Sequence, residues 1–134
     1  MNKLTGTITS IQSSSEMSIV EVDVSGDVFS ATVLETPVSA TYLKVGKKIE
    51  IIFKETEVAI GRDLTGLISI RNRFKSRIQN IVEHSILSTI VLDYRSGPIT
   101  SIISTKSTHR LNLRIGDEVE WLVKTNEVSL CPIL

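Results

Sequence analysis

The amino-acid sequence predicts an all-β protein built from two tandem small β-barrels, each of five short strands and one helical turn. Three observations lead there. Of the 134 residues, 18 are Ile, 13 Val and 13 Thr against only 3 Ala; branching at Cβ crowds a helix and packs well on a pleated surface, so this composition favours strands. Apolar and polar residues alternate over runs of four to eight positions, the pattern of strands buried on one face. Finally, the sequence superposes on itself at an offset of 70: Ile8 on Ile78, Ile11 on Ile81, Asp23 on Asp93, Leu43 on Leu113, Gly46 on Gly116, Glu50 on Glu120, Lys54 on Lys124, and Glu57–Val58 on Glu127–Val128. The chain is a duplication.

In order, the first unit reads LTGTITSI, MSIVEVDV, a turn at Ser25–Gly26, VFSATV, a polar stretch ending in Leu-x-x-Gly, KIEIIFK and a closing EVAI. The second unit repeats this order, with its turn at Ser96–Gly97. Thr36 to Leu43 and Lys106 to Leu113 space their apolar residues three or four apart and precede Gly46 and Gly116. One helical turn, stopped by a glycine able to take positive φ, fits them better than a strand. Five short strands in so small a unit suit a closed or nearly closed barrel, because closure removes exposed sheet edges. The predicted units are residues 1–64 and 65–134, joined near Gly61 to Ile68. Each buries too little surface to stand alone, so the two should pack together and the chain should oligomerise.

Fifteen basic side chains balance fifteen acidic ones. Without a basic field to hold a phosphate backbone, nucleic-acid binding is disfavoured, and Phe29, Phe53 and Phe74 are too scattered along the sequence for a base-stacking platform. The start, MNKLTGTITS, alternates polar and apolar residues instead of forming the apolar core of a signal peptide, and apolar runs such as Val58 to Ile60 are too short to span a bilayer. A cytoplasmic protein with no membrane contact is expected. The lone Cys131 reads as a small apolar residue beside a terminal strand, Trp121 as a core or interface aromatic, and His109 as a surface residue. His84 and His109 lack a metal-ligating spacing, so no direct cation site is expected. Nucleophile elbow, phosphate loop and zinc-protease motifs are all missing, and the chain is read as a non-enzyme.

The chemistry-bearing residues cluster in Ser69-Ile70-Arg71-Asn72, in Ser101 to Ser107, and in Lys124-Thr125. Arg and Lys bring full positive charge, while hydroxyls and backbone N–H groups at strand ends bring directional donors. A tetrahedral dianion needs many donors from several directions together with cationic compensation, so a small oxyanion suits this set. On the residues alone, solvated surface is the commoner role for such charges.

Residues 69 to 130 resemble a Mop domain, of the wider TOBE family. The signs are the Ser-x-Arg-Asn opening, Thr-Ser-Ile-Ile, Leu-x-Leu-x-x-Gly-Asp-x-Val and the closing Val-Lys-x-x-x-Val, in that order and spacing. The resemblance implies an OB-like barrel that binds molybdate or tungstate at interfaces between barrels, in a dimer, trimer or hexamer with exchanged strands; no organic cofactor is implied. It implies that Ser69, Arg71 and Asn72 supply hydroxyl, charge and strand-start donors, that Ser104 and Ser107 donate hydroxyls from a neighbouring barrel, and that Lys124 with Thr125 completes the shell. A tandem pair of such units is similar to di-Mop proteins of molybdate storage, buffering or delivery. An alternative is a regulatory or interaction module, without chemistry of its own, serving a molybdate-responsive regulator or transporter.

The first unit departs from this pattern. Met1-Asn2 stands where Arg71-Asn72 stands, and Leu34 and Pro37 replace Ser104 and Ser107. Lys54 is kept, but Glu55 replaces Thr125 and would repel an anion. Glu57 and Glu127 read as salt-bridge or strand-end residues. The first unit is therefore expected to be mainly structural.

Overall fold

The structure, a computed structural model, describes residues 1–95 and 97–133. The chain runs β1 (Asn2–Ser13), β2 (Ser18–Val24), β3 (Asp27–Val33), β4 (Lys48–Phe53), a 3-10 turn (Glu55–Glu57), β5 (Ala59–Gly61), β6 (Asn72–Glu83), β7 (Leu87–Tyr94), β8 (Gly97–Ser104), α1 (Thr105–Arg110), β9 (Glu118–Val123), a second 3-10 turn (Thr125–Glu127) and β10 (Ser129–Pro132). Ser96 of the expected second turn lies outside the described residues.

The strands form two five-stranded antiparallel sheets, in the orders β10-β4-β1-β2-β3 and β5-β9-β6-β7-β8. Each half thus gives its last strand to the other. The 3-10 turn after β4 carries β5 across to pair with β9, Ile60 opposite Trp121. The turn after β9 returns β10 to β4, Leu130 opposite Ile51.

Alternation explains the strands. In β2, Val20, Val22 and Val24 point inward and are fully buried, while Ile49, Ile51 and Phe53 do the same in β4. One irregularity occurs twice, between Ile8 and Ser10 of β1 and between Ile78 and Asn80 of β6, and bends each long strand. The β2–β3 hairpin turns on Ser25 and Gly26, both at positive φ, a geometry whose twist matches the flanking strands. Between β3 and β4, residues 36–43 make the single turn expected, with Ala40 N–H donating to the Thr36 carbonyl at 2.8 Å, while the second unit extends the turn into the six-residue α1. Pro37 occupies the place of Ser107, whose N–H donates to Ser104 Oγ as a helix cap.

One continuous core joins the halves. Phe29 of the first unit stacks on Phe74 of the second with centroids 4.3 Å apart, and Trp121 packs against Phe53 at 6.0 Å and Tyr94 at 5.3 Å. The phenylalanines scattered along the sequence therefore meet inside the molecule. Trp121 is fully buried, its indole N–H donating to Ser76 Oγ at 3.1 Å. Tyr94 reaches across to donate to Asp27 Oδ2 at 2.6 Å, and burial followed by that hydrogen bond pushes its phenol well above the usual range.

Candidate functional site

Two seams join the halves, related by the same offset of 70 residues. At the first, β3 packs against the second 3-10 turn; at the second, β8 packs against the first. Each seam is closed by an asparagine. Asn72, fully buried, donates from Nδ2 to the Ser30 carbonyl at 2.8 Å and accepts the Ser30 N–H at 2.7 Å. Asn2 makes the same pair of bonds with Thr100, both at 2.8 Å. A primary amide has the donor and acceptor of a peptide group, so each asparagine acts as one more strand residue on the outer edge of β3 or β8.

The register builds the rest of the first seam. Asn72 pairs with Val123, so the next residues outward, Arg71 and Lys124, end neighbouring strands on the same side. Thr125 follows in the 3-10 turn, and its hydroxyl accepts from Thr32 Oγ1 at 3.0 Å. Arg71 is exposed and lies 3.9 Å from Glu21, which sits opposite Ser30 on β2. Lys124 is exposed and forms no ion pair among the described residues. Ser69 is exposed in the bend leading into β6. Four of the seven expected residues, Arg71, Asn72, Lys124 and Thr125, therefore gather beside repeat one's β2 and β3, and Ser69 precedes Arg71 by two residues. The Asn72 side chain is spent on the seam, and the whole residue is buried.

Ser104 and Ser107 lie elsewhere, at the end of β8 and in α1. Ser104 Oγ accepts the Ser107 N–H at 3.0 Å and donates to Ser107 Oγ at 2.9 Å, so Ser107 keeps its own hydroxyl proton to offer outward. Within the chain this pair accompanies the second seam, with Met1, Lys54 and Glu55, whereas Leu34 and Pro37 hold the matching places beside the first. Here the Met1 ammonium sits 2.7 Å from Glu55 Oε2, and that hydrogen bond holds the Glu55 carboxyl below the usual range. Glu57 accepts the Lys54 N–H at 2.9 Å and so closes the strand end. Sequence reasoning missed Ser30, Thr32 and the edge-sealing role of the asparagines. The retained overlap of Asn2 on Asn72 was the available signal for the last.

The remaining singled-out residues take plain positions. His109 is exposed and pairs with Glu83 at 2.6 Å, and Cys131 is a partly buried residue of β10. Among the described residues no group of His, Cys, Asp or Glu is placed to hold a metal ion, and no helix is long and apolar enough to cross a membrane.

Comparison with known proteins supplies the family. The TOBE domain model matches residues 68–130. Among solved structures, the cytoplasmic molybdate-binding protein ModG, in a crystal form with molybdate bound, superposes with a TM-score of 0.92 at 24% identity over 98% of this chain and 96% of that one. A molybdate-binding protein from Sporomusa ovata is 32% identical, with a TM-score of 0.45 over 52% of this chain and 98% of its own. A search of curated protein sequences gives no match. The likeness to ModG over nearly the whole length establishes the fold, a tandem pair of OB-like barrels with exchanged final strands. Residues 68–130, the second repeat, match the TOBE domain family.

Proposed function

We propose that the protein binds molybdate, or tungstate, reversibly at the first seam and serves intracellular storage, buffering or delivery. One observation carries this reading: Arg71 and Lys124 end adjacent strands with one ion pair between them among the described residues, Arg71 to Glu21 at 3.9 Å, beside the Thr32–Thr125 hydroxyl pair. Two cations match the charge of a tetrahedral dianion, and short hydroxyl side chains let the main chain approach it closely. The shared fold with a molybdate-bound protein supports the choice of anion. In this reading Ser69, Arg71, Lys124 and Thr125 form one side of the shell, and the buried Asn72 fixes where Arg71 leaves the strand. Ser104 and Ser107 reach that shell from a second copy of the chain, which makes a homo-oligomer part of the proposal. Binding breaks no covalent bond, and selection against sulfate rests on cavity size and donor placement.

Calorimetric titration of anion-free protein with molybdate, tungstate, sulfate and phosphate tests this. The expected result is micromolar or tighter binding of the first two alone. Arg71→Ala and Lys124→Ala should each weaken it tenfold or more, about 1.4 kcal/mol, with unchanged melting temperature. Unchanged affinity in both variants overturns the site. Absence of heat with every anion overturns the function and leaves an interaction module.

A further inference from the structure

The two seams carry the same count of charges in different places. The first holds Arg71 and Lys124 against Glu21; the second holds the Met1 ammonium and Lys54 against Glu55. At the first seam the negative charge stands aside, on β2, 3.9 Å from the guanidinium. The position nearest β3 belongs to Thr125, a hydroxyl that can donate to an anion or accept from Thr32. At the second seam the carboxylate itself holds that position, in direct contact with the ammonium at 2.7 Å. Val91 replaces Glu21 there, and the one acid of that strand, Asp93, stands opposite Pro98 at the strand's far end.

In other respects the second seam repeats the first. Asn2 seals it as Asn72 does, through the same two kinds of bond, both at 2.8 Å. Lys54 follows Phe53, which pairs with Asn2, as Lys124 follows Val123. Glu57 is engaged in closing its strand end, as noted, and Glu127 is its counterpart, so both seams share that acidic background.

We propose that the second seam is an oxyanion-binding shell held shut by the chain's own carboxylate. Glu55 takes the place of the anion, neutralises the ammonium and repels a dianion, so the protein binds at the first seam only. The inference rests on the oxyanion reading above and adds to it a residue that sets how many anions one chain carries. A single substitution, Glu55→Thr, writes the first seam's residue into the second.

The test counts molybdate bound per chain, by equilibrium dialysis with metal analysis, on tag-free wild type, Glu55→Thr, Glu55→Gln and Glu55→Thr/Lys54→Ala. The expected result is one additional molybdate per chain in Glu55→Thr, a weaker gain in Glu55→Gln, and loss of the gain when Lys54 is also removed. Circular dichroism and urea midpoints establish that each variant is folded. If wild type binds and neither folded Glu55 variant binds more, the closed-shell inference is overturned while the oxyanion reading stands. If no variant and no wild type binds, the oxyanion reading falls and the inference with it.

Discussion

Replacing Asn72 by alanine should cost the protein about 2–6 kcal/mol. The side chain is fully buried and makes two hydrogen bonds, at 2.7 and 2.8 Å, to the main chain of Ser30, itself nearly buried. Alanine removes both partners at once, leaving a buried N–H and a buried C=O unpaired, and each such orphan costs about 1–3 kcal/mol. Against a typical total of ~5–15 kcal/mol, the loss is a large fraction of all stability. Urea unfolding followed by Trp121 fluorescence is the assay, because that indole sits in the core shared by both halves and reports on them together. The midpoint should fall with the slope unchanged, since the surface exposed on unfolding is the same. Asn2→Ala removes the matching bonds to Thr100, which is itself partly exposed, so water can satisfy Thr100 in part and the loss should be smaller. A cost below ~1 kcal/mol for Asn72→Ala would refute the view that the amide seals the β3 edge.

Two further outcomes follow from the same features. Deleting the residues from Ser129 onward strips β4 of a partner along Ile49–Ile52 and should abolish cooperative unfolding of the first half and promote self-association, read by light scattering and urea titration; an unshifted single transition would contradict the exchange. Arg73 holds Glu120, and Arg62 holds Asp117, below the usual carboxyl range, each chiefly through a side-chain hydrogen bond. A folded-state pKa below the unfolded one adds stability above the unfolded value, about 4, and loses it as pH falls through the folded pKa. Arg73→Met should therefore flatten the fall of the urea midpoint between pH 4 and the acid limit, and an unchanged profile would remove Glu120 from the acid transition.

Much of the fold was legible in the residues. Strict alternation in MSIVEVDV and KIEIIFK marked β2 and β4, since one face of each must be buried, and the 70-residue overlap announced two like units. The exchange of final strands left no local trace. EVAI pairs with β4 or with β9 through main-chain bonds that carry no sequence signature, and only the direction taken by Glu55–Glu57 decides between them. Both helical turns were legible, but not their difference in length: α1 extends where Ser104 and Ser107 can cap it, while Pro37 lacks the N–H that the first unit would need. At the site, charge and hydroxyl content pointed to Arg71, Lys124 and Thr125. Which of these face one another depends on pairing across the seam, and so Ser104 and Ser107 came out on a different seam from the rest.

The exchanged strands also impose an order of events during synthesis. β4 is complete at Phe53, yet its outer partner is Ser129–Pro132. At ~5–20 residues per second the ribosome needs roughly 4–15 s to cover that interval, during which the edge of β4 stays bare. β5, made early, likewise waits for β9. Neither half can be finished before the other has begun, so the protein matures as one body after most of the chain has been made, and a cell making it must shelter an unpaired strand edge until then.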